Sequence, residues 1–122
     1  MIQVFLASDD PDFSQGLCEY LVVQPDIRIC GKAAISLGAA REASGLHADI
    51  AILEMPSVDD LEVVDCFKKL SPEIPLLLVA GHVGFEAEKK ALSHGADAVF
   101  PKEDDPKALV LNVRAICDVI AA

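Results

Sequence analysis

Short aliphatic runs alternate with helical periodicity five times along the chain. "IQVFLA" (Ile2 to Ala7) has the length and continuity of a buried strand. Asp10-Pro11 then opens a helix, with Asp10 at the N-cap and Pro11 in the first turn. Phe13, Leu17 and Leu21 recur every four residues and give that helix one inward stripe. "IRICGKA" reads as a second strand, and Ser36 is placed to cap a short Ala-rich helix that stops near Gly45. "DIAILE" is the third strand, and the helix after it is expected from about Asp59, with Leu61, Val64 and Phe67 inward. Pro72 and Pro75 break the chain before a fourth strand, "PLLLVA". "FEAEKKALSHG" is a helix with Glu86 and Lys90 one turn apart and Gly95 as its stop. "ADAVFP" is a fifth strand. Asp105-Pro106 opens a last helix whose inward stripe is Leu109, Val113, Ile116 and Ile120.

Strands as uniformly apolar as "IAIL" and "LLLV" need cover on both faces. The expected architecture is therefore α/β, a doubly wound five-stranded parallel sheet between layers of helices. No linker, repeat or low-complexity segment divides the 122 residues, so we expect one domain, complete or the N-terminal part of a longer protein.

Composition narrows the function. A net charge of −10 argues against nucleic acid and against an anionic membrane surface as direct partners. No signal peptide and no apolar run of about 20 residues is present, so a cytoplasmic protein is expected. The four cysteines, Cys18, Cys30, Cys66 and Cys117, are scattered through apolar contexts and read as buried thiols. His47, His82 and His94 show no ligand spacing with them, which speaks against a zinc site.

Open parallel sheets bind ligands beyond the carboxyl ends of their strands. The residues there are Ser8, Asp9 and Asp10 after strand one, Glu54 after strand three, Ala80 and Gly81 after strand four, and Lys102 after strand five. Three carboxylates and a lysine thus converge on one edge. Neither a G-x-G-x-x-G nor a G-K-[ST] loop is present, and "ASDDPDF" is acidic where a phosphate loop should stand. A flavodoxin-like enzyme or cofactor binder is correspondingly weak.

The stretches "VFLASDDPDFSQGL", "DIAILEMP", "IPLLLVAGH" and "GADAVFPK" resemble the receiver domain of two-component response regulators over the full chain, most nearly the receivers that precede helix-turn-helix output domains. The resemblance implies a CheY-like, flavodoxin-like sheet of order 2-1-3-4-5. It also implies a site. Of the family's acid pair after strand one, the first position is Ser8 and the second, the magnesium ligand, is Asp9. The phosphoacceptor aspartate is replaced by Glu54, the strand-four hydroxyl by Ala80, and the aromatic switch residue of strand five by Val99, with Phe100 beside it. The lysine is kept as Lys102, preceded rather than followed by a proline. Leu61 comes about two residues early, so the loop after Glu54 is short.

These departures imply a degenerate receiver, or pseudo-receiver, that is not an enzyme. Glutamate is one methylene longer than the acceptor it replaces, and in-line transfer tolerates little displacement. The residues leave three readings of Glu54 open. It is a polar strand end paired with Lys102, or a permanent imitation of an acyl phosphate reaching toward Lys102, or an unusual working acceptor. Asp9 either joins Glu54 in a weak Mg2+ site or is salt-bridged to Lys102 or solvated. Asp10 reads as a helix cap. Asp59 and Asp60 could substitute as acceptors but suit a helix start equally well. The resemblance implies a protein partner or output domain, and a homodimer through the fourth helix, fifth strand and fifth helix, roughly Phe85 to Ala122. The alternatives are a working receiver that regulates an output domain such as a DNA-binding one, or the pseudo-receiver of a pilus-assembly and localisation ATPase.

Overall fold

The computed structural model describes residues 1–56, 61–81 and 83–121, with side chains as far as residue 118. Its elements run β1 (Ile2–Ser8), α1 (Pro11–Val22), β2 (Ile27–Ala33), α2 (Ala39–Gly45), β3 (Ile50–Met55), α3 (Glu62–Leu70), β4 (Leu76–Ala80), α4 (Phe85–His94), β5 (Ala98–Pro101) and α5 (Pro106–Ala121). The strands are all parallel, in the order β2-β1-β3-β4-β5, as expected.

The two-residue period of a strand sorts the core into two layers. Val4, Leu6, Ile50, Ile52, Leu77 and Val79 pack under α1 and α5, against Leu17, Leu21, Leu109 and Val113. Phe5, Ala7, Ala51, Leu53, Leu76 and Leu78 pack under α2, α3 and α4. The buried alanines Ala39, Ala40 and Ala43 bring α2 close to the sheet. Ile120 lies outside the residues whose side chains are described, as His82, Asp59 and Asp60 lie outside the described residues altogether.

Local signals at the helix ends mostly hold. Asp10 caps α1, its side chain accepting from the backbone N–H of Asp12 and Phe13. The Asp105 carboxylate accepts from Lys107 N at 2.9 Å at the start of α5. Ser36 departs from expectation: Gly38 is the N-cap of α2, no side chain caps it, and Ser36 contributes only its carbonyl, to Ala39 N at 3.2 Å. The third helix begins at Glu62, with Leu61 buried at its N-cap. The thiols are free and half-buried rather than fully buried, and burial pushes Cys117 up to about 11, so it carries little thiolate at neutral pH.

Gly95 ends α4 at φ 117°, and a Cβ there would stand 2.6 Å from Lys68 Cγ. Left-handed backbone and a tight neighbour act together, so Gly95→Ala should destabilise the fold by about 1–2 kcal/mol in urea unfolding. A neutral result would mean the α4 terminus relaxes without strain.

Two acids that pattern reading placed only at strand starts have a further job. Asp49 accepts from Gln3 N at 2.8 Å and Asp97 from Leu76 N at 2.8 Å, each holding an N–H near the start of the neighbouring strand.

Candidate functional site

The site forms where β1, β3 and β5 end. Ser8 and Glu54 are register partners across β1 and β3, so their side chains leave the same face of the sheet, the α1/α5 face. Ser8 Oγ donates to Glu54 Oε1 at 2.8 Å, and Lys102 Nζ stands 3.2 Å from Glu54 Oε2. Both carboxylate oxygens of Glu54 therefore have a partner, and the residue is only 2% exposed. Lys102 reaches this position because its backbone N–H bonds the Ala80 carbonyl at 2.7 Å, fixing the chain just past the end of β5.

Lys102 has a second carboxylate. Its Nζ lies 2.5 Å from Asp10 Oδ2 and 5.2 Å from the centroid of the Phe13 ring. Asp10 Oδ1 meanwhile accepts from Asp12 N at 3.1 Å and Phe13 N at 3.2 Å. One aspartate thus caps α1 with one oxygen and holds the lysine with the other. Ser8 Oγ also accepts from Asp10 N at 3.0 Å, which closes the ring of contacts.

The electrostatics follow from the pairing. The bond to Lys102 holds the Asp10 carboxyl below its ordinary 3.8, and Asp10 followed by Glu54 holds the Lys102 ammonium above its ordinary 10.5. A matching pair lies at the other end of the sheet. Arg114 forks onto Asp26 at 2.8 and 2.9 Å and holds that carboxyl down as well. A depressed carboxylate contributes stability above its ordinary pKa and loses it as the pH falls through the folded value; a raised lysine loses its contribution only in strong alkali. The urea midpoint should therefore stay level between about pH 5 and 9 and fall below about pH 4. Arg114→Gln should flatten part of that fall, and an unchanged acid limb in that variant would take Asp26 out of the account.

The other expected site residues are placed less centrally. Asp9 is exposed and meets neither Glu54 nor Lys102; its Oδ1 accepts from Ile35 N at 3.0 Å and ties β1 to the chain after β2. Asp10, read from the sequence as a helix cap, is the aspartate that also salt-bridges Lys102. Ala80 pairs laterally with Met55, not Glu54, and packs in the layer under α3 and α4. Val99 lies against that same layer, whereas the aromatic Phe100 is on the opposite face with α1 and α5. A shift of one residue along a strand exchanges faces, which is why Phe100 does not stand in for Val99.

A magnesium ion does not fit this arrangement. Such an ion takes hard oxygen ligands in a strict octahedron. Here Ser8 offers no carboxylate, Asp9 is turned to Ile35, and the Lys102 ammonium lies between Asp10 and Glu54 where a cation would have to be. Among the described residues no three His, Cys, Asp or Glu side chains form a metal-binding group.

No family model matches the chain. The response regulator VraR of Staphylococcus aureus is 27% identical over 115 residues, which cover 93% of this chain and 55% of VraR. The chain therefore spans about half the length of that curated relative. Among solved structures, a LuxR-family two-component response regulator from Aurantimonas superposes with TM-score 0.85 at 23% identity, over 95% of this chain and 84% of the other. The response regulator domain of Thermotoga maritima CheB superposes with TM-score 0.84 at 21% identity, over 97% of each chain. Sequence similarity to a response regulator along 93% of this chain, on a sheet of order 2-1-3-4-5 with an acid at the end of β3 and a lysine past β5, marks the chain as similar to response regulator receiver (CheY-like) domains in sequence and in fold.

Proposed function

We propose that this receiver does not take a phosphoryl group at Glu54, that it is not an enzyme, and that it acts in two-component-type signalling by binding proteins. The observation that supports this reading is the closed state of Glu54. Its two oxygens are held by Ser8 and Lys102, and it has almost no exposed surface. A nucleophilic carboxylate must present an unencumbered oxygen to the incoming phosphorus. Glu54 would have to give up a charge-assisted bond in a dry site to do so, and the phosphoryl group would arrive with no divalent cation to offset its charge.

The same contact supports a fixed signalling state. Glu54 already holds the lysine that, by resemblance, an acyl phosphate would hold, though with about one negative charge where a phosphate carries nearly two. The partner is proposed to be a protein or an output segment, as the names of DNA-binding relatives suggest. Self-pairing through α4, β5 and α5 is part of the same proposal.

The test is amide NMR of the chain with magnesium, then with magnesium and beryllofluoride. Spectra unchanged around Asp9, Glu54 and Lys102 are expected. Saturable shifts confined to those residues on adding beryllofluoride would mean that the pocket still accepts a phosphoryl group, and the reading would fall.

A further inference from the structure

A predominantly apolar cleft of about 300 Å³ lies on the α1/α5 face, away from the Glu54 carboxylate, between α1, the end of β5 and the first turn of α5. Its walls are apolar: Phe13 and Leu17 from α1, Val79 and Phe100 from the sheet, Pro106 and Leu109 from α5. A volume of that order is at the small end of ordinary ligand sites.

Gly16 forms part of the wall, in the middle of α1. Glycine in a helix interior is less favourable than alanine by about 0.5–1 kcal/mol. Close packing usually explains such a residue, but a Cβ at Gly16 would meet nothing within 4 Å. No neighbouring group requires glycine there. Its effect is to leave the cleft open.

The rim sets the charge of an occupant. Asp12 and Asp104 line the mouth, both exposed, and Glu103 and Asp105 flank Asp104 in the chain. The one cation in the lining, Lys102, is already shared by Asp10 and Glu54. The field at the mouth is therefore negative, and an anion would meet no unpaired positive group among the lining residues.

We propose that this cleft is a binding site for a small organic cation with an apolar body, an aliphatic or aromatic primary amine whose hydrocarbon part lies against Phe100, Leu17 and Leu109 and whose ammonium lies at Asp12 and Asp104. The proposal does not depend on the reading of Glu54.

The probe is 4-phenylbutylamine, titrated into the labelled chain by amide NMR beside its matched anion, 4-phenylbutyrate. Saturable shifts at Phe13, Gly16, Phe100 and Leu109 are expected with the amine and none with the carboxylate. Asp12→Asn with Asp104→Asn should weaken the amine about tenfold. Gly16→Leu fills the space with a strong helix former, so it should abolish binding while leaving the melting temperature level or higher. Gly16→Ala should retain binding. Equal shifts from the carboxylate, a Gly16→Leu protein that still binds, or no response to the amine would each overturn the proposal. A silent amine alongside a responsive lysine- and leucine-rich peptide would assign the cleft to a protein partner instead.

Discussion

Lys102→Met lowers the stability of the domain by about 2–3 kcal/mol, which for a chain of this size is a fall in melting temperature of about 8–12 °C. The cause is what remains behind. Glu54 stays 2% exposed but loses the only cation among its described partners and keeps one hydroxyl donor, Ser8. An uncompensated buried carboxylate must either be protonated or draw water into the core, and both cost free energy. The loss falls below that of a fully buried pair because the Lys102 side chain is itself 28% exposed, so water already shares part of its charge. The second variant is diagnostic. Lys102→Met combined with Glu54→Leu removes both charges, and the double variant should recover most of the loss, because replacing a buried pair by apolar groups is close to neutral. Thermal melts of the two singles and the double measure the coupling directly. A single Lys102→Met variant that melts within a degree or so of wild type would mean that Glu54 is solvated in solution and that the closed pocket is not the resting state.

The sheet was legible because its apolar runs are unambiguous. "IAIL" and "LLLV" admit no half-exposed strand, and the four-residue recurrence of Phe13, Leu17 and Leu21 admits no strand at all. The family resemblance then supplied the strand order, which periodicity cannot. The site was legible only as a list of strand ends. Which carboxylate would meet Lys102 depends on side-chain direction past the end of β1, where alternation no longer fixes the face. Asp9 and Asp10 are adjacent acids, and the sequence left Asp9 open between a magnesium site, a bridge to Lys102 and solvent while giving Asp10 only the cap. The structure gives both tasks to Asp10, which is feasible because its two oxygens can serve a helix end and an ammonium together. Asp49 and Asp97 were missed for a related reason. Their bonds run to neighbouring strands 46 and 21 residues away, and no local pattern encodes such a pairing. The mid-helix Gly16 drew no reading from the sequence, and only the cleft beside it gives that residue a consequence.

If the Lys102 ammonium occupies the place of a divalent cation, then changing two residues should restore the demand for one. Ser8→Asp with Glu54→Asp puts two short carboxylates on register-paired positions of adjacent strands, about 5 Å apart. The shorter side chain at position 54 no longer reaches Lys102, which retains Asp10 at 2.5 Å. Two anions so close raise one another's proton affinity and destabilise the fold unless a cation lies between them. The double variant should therefore melt below wild type without divalent ions and regain several degrees in about 10 mM magnesium, as expected for a ligand that binds only the folded state. Wild type should show no such gain, because its carboxylates already hold an ammonium. The comparison separates two ideas that a phosphorylation assay confounds, since a receiver can fail to be labelled through loss of either the metal or the acceptor. Magnesium-dependent stabilisation of wild type would show that Lys102 yields its place, and the closed pocket would then no longer support the proposal that Glu54 takes no phosphoryl group. Stabilisation of the variant alone would locate the absence of a magnesium site in two side chains on a sheet that is otherwise intact.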